Sequence, residues 1–417
     1  MIYDLKMFDV MSAFISAIDV VNPILKHHHR RVAIIAYYLG EACGLDTFQQ
    51  SNLILACSLH DIGALTVKDS LELKELDVVN PEAHERLGAG IISTFVPFEH
   101  MSKIIRHHHV KASDKTINDE LDVPYESFIL HLADRIEILL KTDELALNQK
   151  AYIINTLSEL KGSLFDETVY SVFLELAEKE QFWFDIDYMS IHDLLERVDF
   201  ECFSIENNLE TVNDLVSTLS KVIDYKSRYT AAHSARVAHV AFRLAKQMNL
   251  EDMICSGIKL AAYMHDFGKI AIPTEILEKP TSLTKEEFNI MMTHPYYTYE
   301  ILKHVKGIDE LAMWAGSHHE KLDNSGYPKK MKAHNIGIEI QIIIYADIFS
   351  ALSEDRPYRK SMELDKVMET INNEYKDIVG KTVYDVLLPI AEVLFCEIKE
   401  IRETINEEYD HIVHPVN

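Results

Sequence analysis

Seven titratable positions occur twice along the chain in the same order, and this internal duplication limits the fold more than any local pattern does. In the first half His28 opens an H-x-x-R-V run with Arg31 and Val32, and the pair His60-Asp61 follows it. In the second half His233 opens the same run with Arg236 and Val237, and His265-Asp266 follows at the identical interval. The offset between the copies is therefore the same at the lone histidine and at the pair. His84 precedes the pair His108-His109 by the same stretch of chain that separates His294 from His318-His319. Each set closes on Ala-Asp, at Asp134 and at Asp347. One pair of histidines could align by accident; an ordered set with two repeated intervals points to two homologous domains.

The elements between these positions read as helices. Apolar residues recur at three- and four-residue intervals in RRVAIIAYYLGEA and ARVAHVAFRLAKQM, whereas strand-like alternation is scarce. With 417 residues, 47% of them hydrophobic, the chain can bury two cores. The predicted architecture is all-α, with an N-terminal domain over 1–140, a helical connector over 141–205 and a C-terminal domain over 206–417. The connector is rich in Leu, Ile, Phe and acidic residues, with Gly162 as its one breaker. It either packs the two domains together or forms a homodimer contact.

Charge narrows the function. Against 41 basic side chains stand 67 acidic ones, a net charge of −26, which argues against a binder of DNA or RNA duplexes or of anionic membranes. An anionic ligand must therefore meet local positive charge. The five cysteines, Cys43, Cys57, Cys202, Cys255 and Cys396, form no C-x-x-C pair and fit a reducing compartment. The start MIYDLKMFDV has no signal-peptide pattern and no apolar run is long enough to span a bilayer, so a cytoplasmic protein without a membrane partner is expected.

Imidazole and carboxylate are donors for first-row metals such as iron, manganese or zinc, and a bridging carboxylate lets two ions sit close together. The C-terminal half supplies enough donors for two transition-metal ions: His233, His265, Asp266 and Asp347 for one, and Asp266, His294, His318 and His319 for the other. Immediately after the histidine pair, Asp323, Asn324, Ser325 and Gly326 form a turn-prone run that brings Tyr327 toward the metals.

These residues resemble the HD-GYP family of bacterial phosphodiesterases, built on the HD phosphohydrolase fold. The likeness covers about 210 to 400 and includes HDFGKIAIP (265–273), IL-x-KP-x-x-LT-x-EEF (276–288), HP (294–295), HHE and GYP, AD-x-F-x-AL and DRPYR (355–359). Within it, Thr284 and Glu287 make a capping box for a helix leading to His294. The resemblance implies tandem HD bundles and hydrolysis of a 3'-5' bond in a cyclic dinucleotide by metal-activated water, commonly with Fe or Mn. It gives Asp266 and Lys269 catalytic roles, and places Lys269, Tyr327, Arg356 and Arg359 against the substrate. Lys269, Lys321, Lys329, Lys330, Arg356, Arg359 and Lys360 would gather positive charge there. Family members that use a third ion carry a glutamate where this chain has Tyr229, so two ions are expected.

Two other readings compete: an HD phosphohydrolase acting on mononucleotides or guanosine tetraphosphate, and a non-catalytic scaffold that senses a cyclic dinucleotide. Whether the substrate is cyclic di-GMP or 3'3'-cyclic GMP-AMP, the sequence leaves open. The N-terminal copy keeps a vestigial set of ligands, His28, His60, Asp61, His84, His108, His109 and Asp134, although His107 leaves the register of the pair open. Ala64 stands where Lys269 stands in the second copy, and no GYP or RPYR follows. Replacing His60 and Asp61 together is expected to leave substantial turnover. Complete loss, in a folded variant with its C-terminal metals intact, overturns the assignment of catalysis to the second copy.

Overall fold

The computed structural model describes residues 7–21, 27–64, 81–114, 118, 120–203, 208–226, 230–356 and 359–413. Tyr229 lies outside the described residues. The architecture is all-α. Among the described residues there is no strand, only isolated bridges pairing Lys161 with Phe165 and Arg356 with Arg359. By contacts the chain divides into two units, Ile15–Glu206 and Met1–Phe14 with Asn207–Asn417. The sequence reading drew three parts; by contacts, the described part of the connector, 141–203, falls in one unit with the N-terminal bundle.

In the first unit, α1 (His28–Cys43) packs along α2 (Thr47–Leu59), which turns back after Gly44, a residue with φ of 78°. An Asp46–Gln49 capping box starts α2. Every residue of α2 from Ser51 to Leu59 is buried, so this is a core helix with little solvent face. The ring of helices continues with α3 (Glu82–Ser93), α4 (Glu99–Arg106) and α5 (Tyr125–Ile138). From the former connector, α6 (Glu167–Ala177) and α7 (Glu180–Tyr188) lie on α1. Three bonds explain the attachment: Arg30 donates to Met189 O at 2.6 Å, Arg31 to Asp187 at 3.4 Å, and Tyr38 to Asp185; fully buried Trp183 ties α7 to the end of α6 by donating to Ala177 O at 2.9 Å.

In the second unit, α8 (Leu209–Asp224) precedes α9 (His233–Gln247) and α10 (Asp252–Met264). The capping box at Thr284 and Glu287 forms and opens α11 (Lys285–Met291), but that helix stops at Met291. His294 begins a separate helix, α12 (His294–Leu302), with Pro295 in its first turn, where a missing N–H costs nothing. Then come α13 (Asp309–Ala315), α14 (Ile338–Leu352) and the long α15 (Ala391–Val413). The centre is α14, which buries Ile340, Ile342, Ile343, Ile344, Tyr345, Ala346 and Phe349. Each large apolar side chain there contributes roughly 2 kcal/mol through burial.

One close approach recurs in both units and fixes where the ligand helices sit. A Cβ on Gly268 would fall 1.9 Å from His294 O and 2.6 Å from Thr298 N; one on Gly63 would fall 2.0 Å from His84 O and 2.7 Å from Gly88 N. The turn after each His-Asp pair thus rests directly on the backbone of the helix that supplies the next histidine. Thr298 closes the contact by accepting from Gly268 N at 2.9 Å and donating to His265 O at 2.8 Å. Gly268→Ala must push α12 away, and is expected to destabilise the second unit by about 3 kcal/mol and to lower its retained metal, measured by denaturation and metal analysis. An unchanged midpoint would contradict this packing.

Candidate metal centre

Three of the candidate ligand histidines sit where helices stop, and this determines which ring nitrogen faces inward. A helix leaves its last carbonyls without intrahelical partners. His265, just past α10, donates from Nδ1 to Ala262 O at 2.7 Å; His294 does so to Met291 O at 2.7 Å, and His318 to Ala315 O at 2.6 Å. Because a carbonyl only accepts, Nδ1 carries the proton and the Nε2 lone pair is left for a ligand. This is the arrangement expected of metal-binding histidines.

His233 is held differently, and this accounts for the repeated H-x-x-R. Its Nδ1 lies 3.1 Å from Glu354 Oε1, while Arg236, one turn along α9, donates to Glu354 Oε2 at 2.7 Å. The first unit repeats the triad, with His28 Nδ1 2.5 Å from Glu137 Oε2 and Arg31 3.8 Å from Glu137 Oε1. Sequence reasoning missed Glu137 and Glu354. Their one signal was the arginine, which needs a buried carboxylate partner.

Asp266 joins two groups. Its Oδ2 lies 3.2 Å from His265 Nε2 and 3.6 Å from His233 Nε2; its Oδ1 lies 3.5 Å from His294 Nε2 and 4.0 Å from His318 Nε2. His233 Nε2 is 3.3 Å from Asp347 Oδ1. One donor atom each from His233, His265 and Asp347, and from His294, His318 and His319, converge within 4.8 Å of one another. His265 Nε2 and Asp266 Oδ1 are buried without a hydrogen-bond partner. Such buried orphans are costly unless something binds them.

The electrostatics ask for positive charge. Burial alone would raise Asp266 and Asp347, but neighbouring histidines, joined at Asp266 by Lys269, hold both well below the usual carboxylate range. Burial would lower His233, yet Glu354 and Asp347 lift it to about 9, so this corner takes up a cation, either a proton or a metal ion. Burial, with neighbouring imidazoles, pushes His294 and His319 down to about 3, which leaves neutral rings. The donor set, its orientation and its charge fit a pair of transition-metal ions.

A cavity of about 620 Å³ opens beside these residues, lined by Asp266, Lys269, His294, His319, Tyr327, Asp347, Arg356 and Arg359 among others. Lys269 Nζ is 2.5 Å from Asp266 Oδ2. Tyr327 donates its N–H to His319 O at 3.1 Å and sets its ring 4.8 Å from that of His319; burial and the charges of Asp347 and Asp266 keep its hydroxyl protonated. Arg359 donates to the carbonyls of Ala351 at 2.7 Å and Leu352 at 3.1 Å at the end of α14, and Arg356 is paired with Glu354. Of the other lysines expected nearby, Lys329 lies over the Tyr299 ring and Lys360 pairs with Asp355. The cavity lining includes neither of them, nor Lys321 nor Lys330, whereas Lys279, not singled out from sequence, does line it. Glu320, fully buried, accepts from Lys329 N at 2.6 Å and Met331 N at 2.9 Å and so ties down the segment after Tyr327.

The first unit brings together the corresponding residues. Asp61 Oδ2 lies 3.2 Å from His60 Nε2 and 3.5 Å from His28 Nε2; its Oδ1 lies 3.7 Å from His108 Nε2 and 3.9 Å from His84 Nε2. Asp134 Oδ1 is 3.5 Å from His28 Nε2. His84 Nε2 stands 3.3 Å from His108 Nε2 and 3.2 Å from His109 Nε2, which sets the register of the pair and leaves His107 outside it. His60 and His108 donate from Nδ1 to Cys57 O at 2.9 Å and Ile105 O at 2.6 Å.

Two HD-domain family models match the chain, over residues 25–139 and 217–383. A 3'3'-cGAMP-specific phosphodiesterase of Vibrio cholerae is 30% identical over 384 residues, 89% of each chain. A second such enzyme from that organism is 41% identical over 37% of this chain and 34% of its own, and a cyclic di-GMP phosphodiesterase response regulator of Xanthomonas campestris is 38% identical over 38% and 43%. Among solved structures, a cyclic GMP-AMP-specific phosphodiesterase of V. cholerae matches with a TM-score of 0.61 and 21% identity, covering 93% of this chain and 98% of its own. That likeness extends the shared fold across both units.

Glu320→Ala leaves two backbone N–H groups without their acceptor. It is expected to cost about 2 kcal/mol in thermal denaturation while leaving metal content unchanged. Loss of metal in the folded variant would instead place Glu320 among the ligands.

Proposed function

Because the chain belongs to the HD-GYP family of cyclic-dinucleotide phosphodiesterases, we propose that its second unit opens the ring of 3'3'-cyclic GMP-AMP at a 3'-5' phosphodiester to give a linear dinucleotide. The observation that carries this reading is the two-sided Asp266, with His265 and His233 facing one of its oxygens and His294 and His318 the other, beside a cavity edged by cations. The choice of base rests on the relative that aligns over 89% of the chain, whereas each cyclic di-GMP relative aligns over less than half. Two ions, Fe or Mn as the family resemblance implies, would be held by His233, His265, Asp266 and Asp347 and by Asp266, His294, His318 and His319, and would supply Lewis acidity and an activated water.

The chain's own residues do the rest. Asp266 spaces the two donor groups. Lys269, on the turn after Asp266, offers its ammonium to the scissile phosphate or to the departing oxygen. Tyr327 keeps its proton and can donate a hydrogen bond into the cavity. Arg356 and Arg359 line the same wall, and their charge draws a dianionic ligand to a protein of net charge −26. Arg359 also caps α14, so its substitution would disturb the helix carrying Asp347 as well as the cavity. The first unit has Ala64 in place of the lysine, which supports placing turnover in the second.

Metal-analysed protein should consume 3'3'-cyclic GMP-AMP faster than cyclic di-GMP or cyclic di-AMP, followed by chromatography, and Asp266→Ala should be inert. Lys269→Ala is expected to lower kcat by about 10²- to 10³-fold with metal content preserved. Consumption of a mononucleotide but none of the three rings would transfer the assignment to another HD phosphohydrolase.

A further inference from the structure

One buried side chain beside the first unit's cluster has no place in the ligand set drawn from sequence. His29, in α1, is 2% exposed, and neither of its ring nitrogens has a hydrogen-bond partner among the described residues. Its ring centroid lies 5.2 Å from that of His28 and 5.3 Å from that of His60. A donor atom of His29, one of His60 and one of Asp61 lie within 4.8 Å of one another.

An imidazole in a core must satisfy one N–H and one lone pair, and leaving both unmet is expensive. The helix start does not require an imidazole. At the equivalent place in the second unit, directly after His233, stands Ser234. Its N–H and hydroxyl both donate to the Asp224 carboxylate at 2.9 Å, which commits that residue to the opening turn of α9. The second unit therefore builds the same helix with a residue turned to structural work, while the first places an unpartnered donor against His60 and Asp61. A hydrophobic residue would fill that volume at less cost, so the imidazole is there for something that binds nitrogen.

We infer that His29 is a further ligand to an ion held beside His60 and Asp61 in the first unit, an imidazole that its counterpart in the second unit does not have. The ion is a first-row divalent cation of the class that imidazole and carboxylate select. A fuller protein ligand set leaves fewer positions for water, which suits an ion that holds the bundle together more than one that turns over substrate. This goes beyond the phosphodiesterase reading and stands or falls separately from it.

The test uses the full-length chain carrying Asp266→Ala, which breaks the second unit's bridge. Loaded with Co²⁺ and freed of excess, it should retain metal, and adding His60→Ala and Asp61→Ala should strip it. Adding His29→Ser, the residue found in the other copy, should speed loss to a chelator at least tenfold and change the visible Co²⁺ spectrum, a signature that a packing role would not move. His29→Gln, which keeps a polar end, should do the same and guards against a folding defect. Without substitution at 29, deuterium exchange at the His29 ring C2–H should slow when Co²⁺ is present relative to chelator-treated protein. An Asp266→Ala chain that retains no Co²⁺, an unchanged spectrum and loss rate in a folded position-29 variant, or equal ring exchange with and without metal would overturn the inference.

Discussion

Both clusters depend on the hydrogen bond that each anchored imidazole donates from Nδ1, to a carbonyl at a helix end for His265, His294, His318, His60 and His108, and to a glutamate for His233 and His28. The bond does two things at once. It satisfies an acceptor that a helix end or a buried carboxylate would otherwise leave bare, and it fixes the tautomer so that the lone pairs converge. Converging lone pairs next to two carboxylates repel one another, so the arrangement is stable only with a cation among them. Folding and ligand binding are thus linked through the same few atoms.

The positions of those helix ends are set by packing, with glycine as the tightest constraint. Gly268 and Gly63 let the turn after each His-Asp pair lie against the backbone of the next ligand helix, with no room for even a methyl group. The equal intervals from His294 to His318 and from His84 to His108 are then the length of chain needed to run down one helix and return to the site at the end of the next. Duplication of the spacing is duplication of this geometry.

This explains what the sequence disclosed and what it withheld. That these imidazoles and carboxylates would converge was legible because chemistry demands particular residue types and geometry demands particular intervals, and both recur at Asp61 and Asp266. The all-α class was legible from periodicity. The partner of each amphipathic face was not: the apolar stripe of Glu167–Ala177 says that it packs, and only the bonds of the neighbouring segment through Asp185, Asp187 and Met189 say that it packs on α1. Glu137 and Glu354 were hidden because they lie far along the chain from the histidines they hold. Arg359 reads as a phosphate contact by its place in the motif, yet its guanidinium also holds the carbonyls that end α14. His29 was masked by its neighbours, since a run of histidines gives no hint of which rings turn inward.

The two units therefore share one arrangement of imidazoles and carboxylates and differ in what surrounds it. In the second unit, Lys269, Lys279, Arg356 and Arg359 edge an open cavity. In the first, Arg135 is 1% exposed and paired with Asp134 inside the core, where the second unit has Ile348 after its ligand aspartate, and Arg31 is drawn to Glu137 and Asp187. Buried as deeply as Arg135, a paired cation strengthens the bundle, whereas Arg356 and Lys269, each also paired with a carboxylate, keep part of the side chain exposed on the cavity wall. A guanidinium serves catalysis only where solvent and substrate can reach it, so the same residue type supports structure in one copy and recognition in the other.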